Sequence, residues 1–428
     1  MTTTTSQRHP QRLSFIIYHL SFSAALLLLL LCLPLAGANR IYSPQIKTLT
    51  STVNGDWLNH PVMVLGSGDR LEVGFDELSH NYRRLVYRLQ HCEPDWTVSE
   101  GLFESEWLEG FNDNLIDDYQ NSINTIVEYT HYNFDIPNDK CRLKMSGNYR
   151  LYVIDEDTGD VVAMVEFMVT EQTMSLQMSA TTNTDIDSNE SHQQIAMSLG
   201  FGNTLVTQPS EQIYCCVMQN GKDSSKKDNP KPNYINSNGL EWSHNRSLIF
   251  NAGNEYHKYE ILDVSHPTMG IDIIRWDGAN YQAYPFVDMP RVNYLYDEDA
   301  NGAFYIRNSD NRENDIISEY VWVNYRLKSP RLYDGNILID GHWTSDENAY
   351  NYMMEYDEEK DMYVGRILQK QGYYSYQYLW QKSDGSISLL PSEGNFYQTE
   401  NTYQAFIYYK GTGERSWRLV AYRSLQLR

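Results

Sequence analysis

The residues that could carry chemistry are concentrated between positions 85 and 152 of this 428-residue chain. Three of them are potential metal ligands, namely His91, Cys92 and His131, but the stretch lacks the paired Cys or His spacing of a zinc site. Four carboxylates could supply a general acid and base, namely Glu93, Asp95, Glu104 and Glu106. Carboxylates in an acidic chain are mostly solvated. We therefore predict no catalytic residue, no metal and no cofactor here.

The rest of the sequence also lacks common enzyme motifs. It has no Gly-x-Ser-x-Gly elbow, no His-Glu-x-x-His motif and no phosphate-binding loop, so a hydrolase is the weakest function class. The turn Asp297-Glu-Asp-Ala-Asn-Gly302 matches the first half of an EF-hand loop, but its twelfth position is Asn308 instead of glutamate. Strand-like segments flank it, which favours a turn-forming sequence over a calcium site.

Two strands must position the stretch between 85 and 152. Residues 85–91 and 150–154 alternate in the manner of ordinary β core. Between them lies an irregular segment dense in Trp, Tyr, Asp and Asn, which is too rich in large side chains for a disordered connection. We predict that Trp96, Trp107 and Phe111 pack this segment onto the first sandwich, with surface left over for a partner.

Strand and turn patterns dominate the chain, whose 34 tyrosines suit half-buried sheet surfaces. Only residues 106–111 look locally helical. The chain is too long to fold around a single hydrophobic core, so we predict an all-β protein of tandem immunoglobulin-like β-sandwich domains. The predicted units are a signal peptide at 1–38, an N-terminal sandwich at 39–172, a second β domain at 173–312 and a C-terminal sandwich at 313–428.

Turn signals between apolar runs predict four hairpins. They pair residues 61–65 with 70–75, 150–154 with 161–169, 293–296 with 304–306, and 403–409 with 417–425. Leu71, Val73 and Phe75 are expected to share one strand face. The last hairpin is predicted to complete the sheet of the C-terminal domain. Residues 221–239, rich in Asn, Ser, Lys and Pro, are predicted to form a mobile surface loop.

The C-terminal domain is similar to starch-binding sandwich modules, which stack sugars on exposed aromatic side chains. Trp343, Trp380 and neighbouring tyrosines are the candidates for such stacking. However, Tyr374, Tyr376 and Tyr378 alternate as the buried face of an ordinary strand would. An exported carbohydrate-binding β-sandwich protein is therefore the alternative function, and glycan binding is the less favoured interpretation.

The N-terminus has the pattern of a secretory signal peptide. Arg8 and Arg12 precede an apolar run at 24–33, and Ala36-Gly-Ala38 offers a small-residue cleavage site. An uncleaved membrane anchor is the alternative, since the apolar stretch is nearly long enough to span a bilayer. Loss of the two arginines changes the formal charge from −22 to −24. This charge disfavours nucleic acid and anionic lipid as partners, and no later run suits a membrane helix.

Four cysteines follow this segment, namely Cys92, Cys141, Cys215 and Cys216. They allow three full pairings, of which Cys92 with Cys141 is the natural one because both lie in the first domain. An exported location permits this disulfide without requiring it, so the pairing stays open. The adjacent Cys215 and Cys216 should point to opposite faces of a strand and behave as small buried apolar side chains.

A series of short motifs runs along nearly the whole mature chain. In the first domain these are Tyr87-Arg-Leu-Gln-His-Cys-Glu-Pro-Asp-Trp96, Trp107-Leu-Glu-Gly-Phe111, Asp118-Tyr119, Ser122-Ile-Asn-Thr125, Tyr129-Thr-His-Tyr132 and Ser146-Gly-Asn-Tyr149. Later motifs are Val217-Met-Gln-Asn-Gly221, Ala252-Gly-Asn-Glu255, Gly341-His-Trp343, Lys370-Gln-Gly-Tyr-Tyr374 and Thr399-Glu-Asn-Thr-Tyr403. Their order resembles the plug proteins of the type IX secretion system of Bacteroidota, with a departure at the long lysine-bearing stretch after Gly221.

The resemblance implies a non-enzymatic periplasmic component that docks on the outer-membrane translocon and closes its periplasmic opening when no cargo is present. It implies no cofactor, and association with the membrane through a protein partner instead of lipid insertion. The first two domains are expected to carry much of the docking surface. Ten signature residues form the candidate partner surface, namely His91, Cys92, Asp95, Trp96, Trp107, Phe111, Asp118, Tyr119, His131 and Tyr132.

Overall fold

The computed structural model describes residues 39–427, so the predicted signal peptide lies outside the described residues. About 48% of the chain is strand and about 6% helix, which confirms the all-β, multi-domain β-sandwich class. The helices are single turns, namely α1 (Glu104–Trp107), α2 (Pro209–Gln212), α3 (Asn314–Ile317) and 3-10 turns at Arg246–Leu248, Ala349–Tyr352 and Pro391–Glu393. The helical turn thus precedes most of the predicted 106–111 segment. Within residues 39–427 no helix is long and apolar enough to cross a membrane.

Two sheets face each other in the first domain. The larger sheet contains, in spatial order, β1 (Asn39–Ile41), β12 (Val161–Thr170), β11 (Gly147–Asp155), β5 (Leu85–Cys92) and β7 (Asn114–Leu115), with β3 (Val62–Val64) beside β12. The smaller sheet contains β2 (Ile46–Val53), β4 (Leu71–Glu77), β9 (Thr130–Ile136) and β8 (Tyr119–Asn121). Strands β6 (Leu108–Gly110) and β10 (Cys141–Leu143) form a separate two-stranded sheet. Leu71, Val73 and Phe75 share the buried face of β4, as predicted.

The predicted hairpin of residues 150–154 with 161–169 is confirmed as β11 and β12. The predicted hairpin of residues 61–65 with 70–75 is wrong, because β3 pairs in parallel with β12 while β4 pairs with β2 and β9. The turn at 66–69 carries the chain from one sheet to the other. Asp69 fixes this turn by accepting the Val64 N–H at 2.8 Å.

The second domain also has two sheets. One contains β13 (Ser175–Thr181), β14 (His192–Gly200), β18 (Gly239–Trp242) and β17 (Tyr234–Asn236), with β19 (Ile249–Asn251) paired to β14. The other contains β16 (Lys222–Asp228), β15 (Ile213–Gln219), β30 (Thr402–Tyr409) and β31 (Arg418–Gln426). Residues 221–239 therefore supply two strands, and the predicted mobile loop is wrong. The local Lys, Ser and Asn composition concealed a strand whose stability comes from its pairing with β15.

The third domain is built on one ten-stranded sheet. Its path is β20 (His257–Ile261), β28 (Gly372–Gln381), β25 (Asn336–Asp340), β26 (Met353–Asp357), β27 (Met362–Lys370), β24 (Tyr320–Leu327), β22 (Tyr281–Pro285) and β21 (Ile271–Trp276), with β23 (Phe304–Ile306) and β29 (Ile387–Leu389) beside β28. The predicted hairpin of residues 293–296 with 304–306 is wrong, because β23 pairs with β28 and 293–296 form no strand.

The last predicted hairpin forms as β30 and β31, but it does not complete the C-terminal domain. It pairs with β15 and places Tyr403, Ile407 and Val420 in the core of the second domain. Strands β20 to β23 in turn belong to the third sheet. The sheets therefore do not follow the predicted division at residue 312, because pairing over long sequence separations outweighs chain order.

The first and second domains share an apolar interface. Met168 on β12 packs with Met218, Phe406 and Leu419 of the second domain, so β12 is buried on both of its faces. Cys216 faces this interface, whereas the adjacent Cys215 faces the core of the second domain. Both side chains are buried, which confirms the prediction that they serve as apolar side chains on opposite faces of the strand.

Candidate functional site

The ten signature residues divide into an inward-facing and an outward-facing group. His91, at the end of β5, is buried, with Nδ1 2.8 Å from Ser99 Oγ and Nε2 3.2 Å from the Ser146 carbonyl oxygen. Gly147 leaves room for the ring, since a Cβ there would lie 2.5 Å from Nε2. Burial lowers the pKa of His91 and favours the neutral ring. His91 therefore holds two loops together.

Trp107 and Cys92 also face the interior. Trp107 belongs to the first-domain core, with its ring centroid 5.9 Å from that of Tyr149, as predicted for a packing residue. Cys92 lies on the other face of β5, because its neighbour His91 points into the core and strand side chains alternate. Cys141 belongs to the core, so the sheet separates the two thiols. All cysteines within residues 39–427 are buried free thiols, and a Cys92–Cys141 disulfide is not formed.

His131 contributes to a buried polar cluster that joins the first and third domains. We call Asp76, His131, Tyr320 and Lys370 the Asp76 junction. Asp76 accepts hydrogen bonds from Lys370 Nζ and the Tyr320 hydroxyl, each at 2.7 Å, and lies 2.7 Å from His131 Nδ1. Burial opposes ionisation of Asp76, but Lys370 and His131 outweigh it and hold its pKa below the usual range. The junction is thus an ion pair with satisfied hydrogen bonds.

Tyr132 is structural, whereas Tyr119 on β8 and the preceding residue Asp118 are exposed to solvent. The buried Tyr132 hydroxyl accepts the Arg83 N–H at 2.7 Å and donates to the Arg83 carbonyl at 3.0 Å. Tyr119 covers the Tyr132 ring at a centroid distance of 5.8 Å and remains partly exposed. Asp118 is exposed, and its carbonyl accepts the Asn133 N–H. This pair belongs to the sheet edge.

Two further polar contacts join the domains. Lys222 Nζ lies 3.0 Å from Asp340 Oδ1 and links the second domain to the third with both side chains buried. Glu93, within the first signature motif, accepts the Ser416 hydroxyl at 2.8 Å and the Trp417 N–H at 3.2 Å. The irregular segment of the first domain therefore contacts the second domain as well as its own core.

Phe111 contradicts the prediction that it packs the segment. Its side chain is 75% exposed. The cause is the chain direction at Gly110, whose φ of +105° and close approach to Lys140 turn β6 away from the core. A Cβ at Gly110 would lie 2.2 Å from the Lys140 carbonyl oxygen. Phe103, on the other side of α1, is also 73% exposed.

A broad groove of about 900 Å³ begins at the turn that carries Asp95 and Trp96. Asp95 is exposed and accepts both the N–H and the hydroxyl of Thr97, which stabilises the turn. Trp96 has a φ of +66°, a left-handed conformation that bulky residues adopt rarely and at a cost. One side of its half-buried ring packs near the Arg150 guanidinium, at 5.7 Å. The indole is thus held in a fixed position beside the groove.

Two exposed phenylalanines lie beyond the groove, and one of them, Phe103, is near the groove residue Arg415. Arg415 lines the groove, pairs with Glu106 and lies 6.0 Å from the centroid of the Phe103 ring. Glu104 and Asn112, which are joined by a hydrogen bond of 2.9 Å, connect the vicinity of Phe103 to that of Phe111. We call this region the Trp96 surface, and its principal members are Asp95, Trp96, Val98, Phe103, Phe111, Arg415 and Trp417.

The aromatic residues proposed for sugar stacking in the third domain are mostly buried. Trp343 is only 9% exposed, and its indole N–H donates to the Ser375 carbonyl at 3.1 Å. Tyr374, Tyr376 and Tyr378 form the buried face of β28, as their alternation predicted. Trp343 therefore cannot present a flat ring to a glycan.

In the calcium-like turn at 297–302, the Asp299 carboxylate is hydrogen-bonded to backbone groups of the protein. The Asp299 carboxylate accepts backbone N–H groups of Asn301 and Tyr256, and burial raises its pKa to about 7. Asn301 and Gly302 both have positive φ, as turn residues do. Within residues 39–427 no group of three His, Cys, Asp or Glu side chains is placed to hold a metal ion.

Neither Asp76 nor Lys370, the two charges at the centre of the Asp76 junction, was among the candidate site residues predicted from the sequence. Asp76 follows the apolar alternation of β4, and Lys370 ends β27, so each is a charged residue attached to a buried strand. That is the available signal, because charges in such positions need partners. Which charge pairs with which could not be read from the sequence, since the two residues are 294 positions apart.

Comparison with known proteins identifies a matching protein family. Residues 46–171 match the model of the type 9 secretion system plug protein 1st domain. A hypothetical protein from Parabacteroides merdae, known from a crystal structure, is 34% identical, with a TM-score of 0.88 over 92% of this chain and 100% of its own. No curated protein matches.

Two streptococcal structures are far more distant. The C-terminal domain of the AgI/II polypeptide BspA from Streptococcus agalactiae is 7% identical, with a TM-score of 0.15 over 91% of this chain and 96% of its own. The C-terminal domain of the antigen I/II-family protein AspA from Streptococcus pyogenes is 8% identical, with a TM-score of 0.16 over 89% and 99%. Neither carries a structural argument. On the match over residues 46–171, the chain belongs to the type IX secretion system plug protein family.

Proposed function

We propose that this protein docks on the outer-membrane type IX translocon from the periplasm and closes its periplasmic opening when no cargo is present. The observation that carries the proposal is the match of the first domain to the plug family. The Trp96 surface contains three signature residues of this domain, Asp95, Trp96 and Phe111, beside Arg415 and Trp417 of the second domain. The proposed role is non-enzymatic, since closing an opening requires binding and no chemistry.

The joined domains suit a closure. The Asp76 junction fixes the first domain to the third, Lys222 and Asp340 fix the second to the third, and an apolar interface fixes the first to the second. Close-packed interiors deform little under load. Three domains held at three interfaces would cover a wide opening as one body.

The Trp96 surface has the composition of a protein-binding site. Tryptophan, phenylalanine and arginine are enriched at interfaces, and tryptophan and arginine often dominate the binding energy. Trp96 is already fixed by its turn and by Arg150, so little side-chain entropy is lost on binding. We expect the complete interface to bury more than about 1,000 Å² and to retain water at its polar rim. The expected occupant is the translocon protein.

The test compares matched variants in cells that lack the native gene. A Phe103→Ser and Phe111→Ser double variant should lose co-purification with the translocon and should admit large antibiotics through the outer membrane. The control is Tyr333→Ser, since Tyr333 is 90% exposed on the third domain and outside the Trp96 surface. Both variants should unfold at the temperature of the wild type.

Two results would contradict the proposal. If the wild-type protein never co-purifies with a translocon, and its loss changes neither permeability nor export, the docking function is wrong. If the double variant occupies the translocon as fully as Tyr333→Ser does, the Trp96 surface is not the interface.

A further inference from the structure

A cleft of about 690 Å³ lies where the three domains meet. Strands β2 and β4 of the first domain line one side, β23 and the start of α3 line the other, and Gly221 and Lys222 of the second domain close one end. Clefts of this size at domain boundaries are common positions for small-molecule sites. The lining shares no residue with the Trp96 surface. The docking proposal therefore leaves the cleft unexplained.

One wall of the cleft is aromatic. The Trp57 ring lies 5.4 Å from that of Tyr305, with their planes 32° apart, and 5.9 Å from that of Tyr373. Trp57 is half-buried and Tyr305 is 36% exposed, and both line the cleft. In contrast to the buried Trp343, this pair offers aromatic surface at an open site.

The polar part of the lining combines uncharged groups with four carboxylates, Glu72, Asp135, Glu313 and Asp315, of which Asp135 pairs with Arg70. Hydroxyl and amide side chains face the cleft at Asn39, Thr48, Thr50, Thr52, Asn59 and Asn133. Glu72 accepts the Thr52 hydroxyl through Oε2 at 3.2 Å, so Oε1 is available to a ligand. Such groups make directional hydrogen bonds as donors and acceptors.

His60 adds an unsatisfied polar atom. Its Nε2 is buried and has no hydrogen-bond partner within the described residues, an arrangement that is costly without a ligand or water. Burial lowers the pKa of His60 to about 4, so the ring is neutral. The lysines that line the cleft are already paired, Lys370 with Asp76 and Lys222 with Asp340. The cleft therefore does not suit an anion.

We propose that this cleft binds a neutral oligosaccharide, stacked on Trp57 and Tyr305 and hydrogen-bonded to Glu72, His60 and the neighbouring amides. A sugar ring has one face of C–H groups, which packs on an aromatic ring, and a rim of hydroxyls, each of which donates and accepts. The combination of an aromatic wall with directional hydrogen-bonding groups matches both features. The site lies in the interdomain cleft, where the third-domain sheet contributes its β23 edge, and not at Trp343.

The test is calorimetric titration of the chain from residue 39 with maltotetraose, cellotetraose and chitotetraose. At least one should bind, with an affinity that does not change between low and high salt, since the ligand is uncharged. Trp57→Ala should weaken that binding by roughly tenfold or more, which corresponds to about 1.4 kcal/mol. Glu72→Gln, which keeps the shape of the side chain, should weaken it less.

The control is Trp276→Ala, because Trp276 is 49% exposed and lies outside the cleft. It should bind the sugar like the wild type. If Trp57→Ala fails to fold, Tyr305→Ala replaces it, since Tyr305 is the more exposed ring. Failure of all three sugars to bind overturns the inference. Salt-sensitive binding of a tetralysine peptide that Glu72→Gln abolishes would overturn it in favour of a cationic peptide. Neither result depends on the translocon.

Discussion

The Asp76 junction and the Trp96 surface use signature residues of the same domain for opposite purposes. At the junction, a carboxylate and an ammonium group are buried and fully paired. At the Trp96 surface, aromatic rings are exposed near a groove, and Arg415 connects Phe103 to that groove. The difference shows that motifs shared by a family mix residues that hold domains together with residues available to a partner. Burial, which a motif does not report, separates the two.

The largest effect is expected at the junction. Lys370→Met should lower the free energy of unfolding by about 3–5 kcal/mol, because Asp76 would remain as a buried charge without its partner. Urea unfolding monitored by tryptophan fluorescence measures this. A Lys370→Met and Asp76→Asn double variant should recover part of the loss. If Lys370→Met unfolds like the wild type, the ion pair does not hold the domains.

Trp107 provides a second test of the inward-facing group. Trp107→Ala should destabilise the protein by about 3–5 kcal/mol, since a large side chain leaves the first core. Thermal unfolding of the purified variant checks this. An unchanged melting temperature together with lost translocon binding would instead move Trp107 to the interface.

The pH dependence of stability tests the buried ion network around His257. His257 lies 2.9 Å from Asp288 and 2.8 Å from Glu393, near Arg291. Burial alone would lower the pKa of His257, but the two carboxylates outweigh burial and raise it from 6.5 to about 9. Its stabilising contribution is therefore complete below about pH 6.5 and disappears as the pH rises through about 9. In urea unfolding at several pH values, His257→Gln should flatten this decline, whereas equal slopes would contradict the assignment.

The smallest effect on stability is expected at Phe111. Phe111→Ala should change the free energy of unfolding by less than about 0.5 kcal/mol, because the exposed side chain has little packing to lose. The matched comparison is Trp107→Ala under the same conditions. A loss as large as that of Trp107→Ala would show that Phe111 is buried in solution.

The sequence predicted features that local alternation determines. The buried face of Leu71, Val73 and Phe75, the opposed Cys215 and Cys216, and the hairpin of β11 and β12 all follow from a period of two and a nearby turn. Prediction from the sequence failed where strands pair over a long separation along the chain. A turn between β3 and β4 is compatible with a hairpin or with a passage between sheets, and only the packing of the sandwich decides.

The residue types of the candidate site could be predicted from the sequence, but the directions in which their side chains point could not. Trp107 and Phe111 are four residues apart in one motif, and both were expected to pack. Gly110 lies between them, and its left-handed backbone turns only the second ring to solvent. A sequence shows that a glycine is present, but the strand partner that requires its conformation, here β10, is set by the tertiary structure.

The position of the last hairpin constrains the order in which the molecule can be completed. The core of the second domain needs Tyr403 and Ile407, which are synthesised after the entire third domain. The first domain can close early, while the second must wait with an unpaired β15 edge until the C-terminus arrives. A chain ending at residue 398 should therefore resist proteases in its first domain and be cut in its second. Resistance of both domains would show that the second domain does not need that final segment, and cleavage of both would show that the first domain needs it as well.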